Sequence, residues 1–210
     1  MNQPITFHLT KSLDEIRQIK NIQKRHQKES IAPELWETTG FVTAEYEISL
    51  LEKMHRLLRS IIAKDGDKVV GYALVTDPRI IGCHNLLDDL FTQINKLTFD
   101  NHPLKETKYT VVGQLCVDSD YGRRGIAQGL YKKYQKSYSN SFDYCITDVD
   151  CNNPRSLRTH LRAGFQIIHK IEYGNAEWDI VLWDWKTDKS WKTTSKTTGN
   201  TFILQNSPTR

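Results

Sequence analysis

Four cysteines in 210 residues are too few to staple a domain, and Cys83, Cys116, Cys145 and Cys151 form no C-x-x-C pair. Reduced thiols are expected, and a structural zinc site is not. No apolar run approaches the ~20 residues of a membrane-spanning helix, so a membrane partner is not expected either. The opening MNQPITFHLTKS has no apolar core and no clustered early charge, so a secretory leader is not expected and the address is cytosolic. Internal repeats are missing. So are GxxxxGK[ST] and GxGxxG, which sets aside the usual nucleoside triphosphate and dinucleotide readings.

An excess of one charge is also missing from most of the chain. The net charge is +4, but Lys186, Lys189, Lys192, Lys196 and Arg210 face only Asp188 within 186–210, so residues 1–185 are balanced. A nucleic-acid partner needs a basic face on the folded domain, and none is indicated. The segment 186–210 is rich in Lys, Thr and Ser and reads as a basic, solvated extension whose main apolar content is Trp191 and residues 202–204.

What is present, 38% apolar and 26% charged residues, is the composition of one folded domain, placed at 1–185. The apolar period switches repeatedly between 3.6 and 2. A strand over 5–9 precedes a helix capped by Ser12, with Leu13, Ile16, Ile19 and Ile22 on one face. A second helix is predicted over 44–58, then a hairpin over 60–75 turning at Asp65 and Gly66. An insert over 77–109 carries an amphipathic helix marked by Leu87, Leu90, Phe91, Ile94 and Leu97. Strand (110–117), helix (126–138), strand (143–149), helix (154–163) and two strands (165–171 and 177–185, turning near Gly174) complete the order. A strand, helix, strand rhythm implies a parallel crossover, so the class is α/β with a mixed sheet, antiparallel first and parallel in the middle.

Chemistry concentrates in two segments. In GQLCVDSDYGRRGIAQGLYKKY (113–134) a strand ends at Val117 and a polar turn leads into a helix. Gly122, Gly125 and Ala127 allow close backbone approach, first-turn amides form an anion site, and Arg123 and Arg124 add charge. A loop with two solvated arginines fits the same residues. In TDVDCNNPRSLRTHLRAGF (147–165), Asn153 and Pro154 read as an N-cap and a first-turn proline, and Gly164 as the C-terminal stop. His160 lies on the sheet-facing side of that helix, where a histidine is more often packed than catalytic. Asp148, at the end of a strand in the parallel region, faces the usual ligand crevice.

Together the segments resemble the GNAT superfamily of N-acetyltransferases. GRRGIA is similar to the family's acetyl-CoA motif at Gly125 and Ala127, with Gly122 where Gln or Arg is usual, and NPRSLRTHLRAGF is similar to its second motif from Asn153 to Phe165. The resemblance implies the family's fold, with antiparallel first strands and a splayed parallel central pair. It implies acetyl-CoA as cosubstrate, held by the main chain of Leu115, Cys116 and Val117 and by amides from Arg123, Arg124, Gly125, Ile126, Ala127 and Gln128, with Asn153 beside them. It also implies catalytic roles: His160 protonates the leaving thiolate, and Asp148 accepts the amine's proton directly or through water. An alkyl amine is neutral in only about one molecule in 2,500 at pH 7, so a base helps.

The acceptor is expected to be an amine of a small molecule or peptide, and a homodimer is compatible with the resemblance. Trp36, Phe41, Glu45, Glu47, Asp88 and Asp89 fall in the segments that would choose it, although a charged helix face is usually just solvated. The alternative from another class is an acyl-CoA-binding sensor or regulatory domain without turnover.

Overall fold

The computed structural model describes residues 4–173 and 176–187. In chain order its elements are β1 (Thr6–Leu9), α1 (Leu13–Arg25), α2 (Trp36–Thr39), α3 (Ile48–Leu57), β2 (Ile61–Asp65), β3 (Lys68–Thr76) and α4 (Asn85–Ile94). They continue with β4 (Thr98–Phe99), β5 (His102–Pro103), β6 (Tyr109–Val117), α5 (Ile126–Tyr138), β7 (Tyr144–Asp150), α6 (Pro154–Ala163), β8 (Gln166–Tyr173) and β9 (Ala176–Asp184). The turn expected near Gly174 and the extension from residue 188, with Trp191 and 202–204, lie outside the described residues.

Seven strands form one sheet in the order β1-β2-β3-β6-β7-β9-β8, and β6 with β7 is its parallel pair. Alternation along the strands feeds two cores. Ile62, Tyr72 and Leu74 join Ile16, Ile19, Met54 and Phe91 on the side of α1, α3 and α4, while Ile61, Ala73 and Val75 join Leu130, Tyr131 and Tyr134 of α5 on the other. The result is helix, sheet, helix, with both sheet faces covered.

Local signals explain most of the boundaries. Ser12 Oγ accepts from the Glu15 amide at 3.3 Å and starts α1. Asn153 Oδ1 accepts from the Ser156 amide at 3.1 Å with Pro154 in the first turn of α6, and Gly164 closes that helix at φ 110°, its amide bonded to the carbonyls of His160 and Leu161.

Two expectations change. The helix predicted from residue 44 begins at Ile48, because 42–46 is held extended by longer-range partners. The Val42 amide donates to His26 O (2.9 Å), the Tyr46 amide to Gln23 Oε1 (3.0 Å), and Ala44 O accepts from Gln114 Nε2 (2.8 Å). In the insert, Leu97 packs on the core from beyond the end of α4, just before a β4–β5 hairpin turning at Asp100 (φ 48°) and Asn101 (φ 60°). Two positive φ values at an Asp-Asn pair suit a tight hairpin turn.

Candidate active site

The parallel pair is short. β6 and β7 are in register only at Tyr109, Thr110 and Val111 against Tyr144, Cys145 and Ile146. Past that point the strands diverge, and Thr147 Oγ1 donates to Val112 O (2.7 Å) at the apex of the gap. β6 there also carries an extra residue, Gly113, between its pairings with Val75 and Leu74. A bulge of this kind bends the strand. The Gly113 carbonyl accepts from Tyr46 Oη at 2.9 Å. Farther along, Leu115, Cys116 and Val117 pair, among the described residues, only with β3, which leaves the β7-facing main chain of these three residues as a strand edge without a described partner. Burial pushes the Cys116 thiol up to about 12, with Asp118 adding to the effect, so this sulfur is not a nucleophile near neutral pH.

The edge runs into the glycine-containing loop. Asp118 is anchored by its amide to Val70 O (2.9 Å) and by its carboxylate to Arg25 (2.7 Å). A 3₁₀ turn over Ser119–Tyr121 follows, then Arg123 at φ 63° and Gly125 at φ 71°, which stands at the N-cap of α5 without any side-chain cap. The amides of Ile126, Ala127 and Gln128 therefore open from the first turn with no partner inside the helix. Arg123 and Arg124 are exposed beside them, and the Arg124 guanidinium lies over the Tyr121 ring, 4.9 Å from its centroid. Gln128 turns inward, its Nε2 donating to Thr159 O (3.1 Å) and tying α5 to α6.

A groove connects Leu115, Cys116, Val117 and Ala127 with Gly40, His26 and Arg155. Sequence reading missed His26 and Arg155, which come from α1's end and from α6. Arg155 donates to Thr38 O and Arg158 to Glu37 O (3.2 Å), so two arginines of α6 bind the last carbonyls of α2. Asn153 forms the partition between this groove and a second cleft. It is 4% exposed, and its amide is spent internally, Nδ2 donating to Phe41 O (2.9 Å) while Oδ1 caps α6.

The second cleft contains Asp148. Two residues past Ile146, this side chain leaves the sheet on the α4 side, half-buried between Tyr46, Val149, Trp178 and the leucines of α4. Burial pushes its carboxyl up to about 6, and the charge of Asp150 pushes the same way. Every carboxylate that is nearly lost from solvent has a cation: Glu15 has Lys64 (3.2 Å), Asp77 has Arg79 (2.5 Å), Asp118 has Arg25 (2.7 Å), Asp150 has Lys28 (2.6 Å) and Asp179 has Lys170 (3.4 Å). Among the described residues no such cation reaches Asp148.

His160 lines the same cleft, 4% exposed and packed on the rings of Tyr131 and Phe165 with centroids 5.5 and 5.2 Å away. Its Nδ1 lies 2.7 Å from Ser156 O. A carbonyl only accepts, so Nδ1 carries the proton and Nε2 presents a lone pair. Burial lowers the imidazole to about 4, which leaves it neutral at pH 7. In this state it accepts hydrogen bonds from the cleft.

Of the residues considered for choosing the acceptor, Phe41 lines the cleft. Trp36 stands behind it, its ring 5.1 Å from that of Phe41. Glu45 and Glu47 are exposed, Glu45 paired with Lys20 at 2.9 Å, and Asp88 accepts from the Gly82 amide at 2.9 Å. Asp89 and these three acids stand outside the cleft lining. Among the described residues no cluster of His, Cys, Asp and Glu could hold a metal, and no helix is long and apolar enough to cross a membrane.

Compared with known proteins, residues 22–165 match the model of the acetyltransferase (GNAT) family. No curated protein matches the sequence. Solved structures do resemble the fold. A GNAT-family acetyltransferase from Streptococcus agalactiae aligns with a TM-score of 0.59 at 15% identity, over 88% of this chain and 97% of that one. Arabidopsis thaliana NAA60, solved with acetyl-CoA, gives 0.58 at 16% over 86% and 99%. The ribosomal-protein-S18-alanine N-acetyltransferase of Escherichia coli gives 0.56 at 10% over 86% and 94%.

Proposed function

Because the chain belongs to the acetyltransferase (GNAT) family, we propose that it transfers the acetyl group of acetyl-CoA to a primary amine of a small molecule or peptide, by direct attack of the amine on the thioester. The edge of Leu115, Cys116 and Val117 would hold the pantetheine arm as an added strand, and the amides of Arg123 to Gln128 the pyrophosphate. Arabidopsis NAA60, with acetyl-CoA bound to a similar fold, supports that cosubstrate.

The observation that carries the reading is Asp148, a half-buried carboxylate with no cation among the described residues, just past the divergence of β6 and β7. Ionised in about nine molecules in ten at pH 7 given a value of about 6, it would take the proton from an incoming ammonium. The neutral amine then attacks, the C–N bond forming as the C–S bond breaks, and of the two protons the nitrogen gives up one passes through Asp148 to the thiolate and the other leaves to water. That thiolate needs only a mild acid, since a thiol titrates near 8.5. His160 as proton donor would draw on about one molecule in a thousand at pH 7, so its proposed role is narrower: it positions groups by accepting at Nε2. Neither Cys116 nor Cys145 suits an acyl-enzyme, because burial raises both thiols.

Thiol release from acetyl-CoA across a panel of amines tests the proposal. Asp148→Asn should lower turnover by the ~10² to 10⁴ of a lost general base while acetyl-CoA affinity changes little. Near-normal turnover in that variant would sink the assignment. Tight acetyl-CoA binding without turnover on any amine would favour the sensor alternative, in which an unpaired Asp148 has no function.

A further inference from the structure

The cleft beyond Asp148 has an uneven lining. Leu86, Leu87 and Leu90, all from α4 in the insert 77–109, form one part of the lining, and Phe41 and Trp178 belong to the rest. Two carboxylates reach it, Asp148 and Asp150. Lys28 Nζ sits 2.6 Å from Asp150 Oδ2, and the same ammonium lies 4.8 Å from the centroid of the Phe41 ring, so it is fixed at the edge of the cleft and cancels one of the two charges. Among the described residues the cleft therefore holds a single uncompensated negative charge beside these leucines.

Resting on the acetyl-transfer reading above, we infer that the acceptor is a primary amine carrying one positive charge and a compact apolar group next to the amine carbon, selected by the leucines of α4. One ammonium matches Asp148, and the apolar substituent removes Leu86 and Trp178 from water as it leaves water itself. A polyamine or aminosugar would bring a second ammonium against Leu86, Leu87 and Leu90, and an unpaired charge in such a lining is costly. Specificity here is a penalty for the wrong charge as much as a gain for the right shape.

The test uses the full-length chain with three amines: leucinamide, glycinamide and spermidine. The first two share the same α-amino group and differ only in the apolar substituent. Thiol release should give leucinamide a kcat/KM at least about tenfold above both of the others, the low end of what even one methylene contributes in an apolar pocket. Calorimetric titration of each amine into the chain saturated with CoA should rank the dissociation constants in the same order. Glycinamide or spermidine matching leucinamide in either measurement would overturn the inference, and so would the absence of binding by all three. Preferential binding of leucinamide without turnover would support the inference while refuting the acetyl-transfer reading, so the two failures are told apart. In Leu86→Glu, where a second uncompensated carboxylate enters from α4, the ratio of spermidine to leucinamide kcat/KM should rise at least about tenfold. An unchanged ratio would remove α4 from acceptor selection.

Discussion

Replacing Asp148 with asparagine is expected to stabilise the fold and disable the site at once. The carboxyl titrates at about 6 in the folded chain against an ordinary value of 3.8. At 1.36 kcal/mol per pH unit this corresponds to about 3 kcal/mol of penalty once the group is ionised. The folded value lies above the unfolded one, so the folded state binds the proton more tightly. The benefit is whole below pH 3.8 and is lost as pH rises through 6. Asparagine carries no charge to desolvate, and an amide left short of partners in the cleft would offset part of that gain, by about 1 kcal/mol or more. The net gain at pH 8 is then about 1 to 2 kcal/mol, which for a chain of this size raises Tm by about 2 to 8 °C. At pH 4 the gain should vanish or reverse. Calorimetric melts of both proteins at pH 4, 6 and 8 measure the gap directly. A Tm difference that stays constant across this range, or a variant less stable than the wild type at pH 8, would refute the account of Asp148 as a desolvated and unpaired carboxylate.

Three further outcomes follow from the same geometry. His160 titrates at about 4 against 6.5, so its contribution is whole above pH 6.5 and lost as pH falls through 4; in melts, His160→Phe should gain about 2 kcal/mol relative to wild type on going from pH 8 to pH 5. Its turnover should stay within about tenfold of wild type, and a loss of ~10² or more would restore the proton-donor role. Gly125→Val forces a branched residue to φ 71°, where a Cβ meets nothing within 4 Å, so the fault is conformational and costs about 1 to 2 kcal/mol. The thermal shift produced by acetyl-CoA should disappear in that variant and persist in Gly125→Asn, whereas a full shift in Gly125→Val would remove the first turn of α5 from the binding site. Lys28→Met leaves Asp150, with its side chain 2% exposed, buried without its cation and should cost about 3 to 5 kcal/mol in urea unfolding; adding Asp150→Asn should recover much of that, and no recovery would mean the pair is not what holds this corner.

The elements that sequence reading places well are those whose signal is local. Ser12, Asn153, Pro154 and Gly164 act within four residues of themselves, and each marks a helix end where it should. The strands of the sheet carry their period in their own residues. Where the partner is distant, the local pattern misleads. Residues 44–47 look helical beside Leu50 and Leu51, yet the side-chain amides of Gln23 and Gln114, remote in sequence, take up the backbone of 44–46 and hold it extended. The candidate site divides along the same line. The loop from Arg123 to Gln128 and the position of Asp148 follow from a strand that ends and a helix that begins. His26, Arg155, Tyr46 and the leucines of α4 reach the clefts by tertiary packing, and no spacing along the chain announces them. The same holds for the neutral state of His160, which depends on the Ser156 carbonyl, Tyr131 and Phe165 around it.

Phe41, Val42 and Asn153 line both the groove along β6 and the cleft around Asp148. They form one thin partition, fastened by the bond from Asn153 Nδ2 to Phe41 O and by that from the Val42 amide to His26 O. A molecule that shifts the partition while seated on one side alters the space offered on the other. Linkage makes such an influence mutual: the factor by which an occupant of the groove changes affinity in the cleft equals the factor by which an occupant of the cleft changes affinity in the groove. Preference for filling one side first would then be a matter of rates and concentrations, since the equilibrium coupling across the wall has no direction.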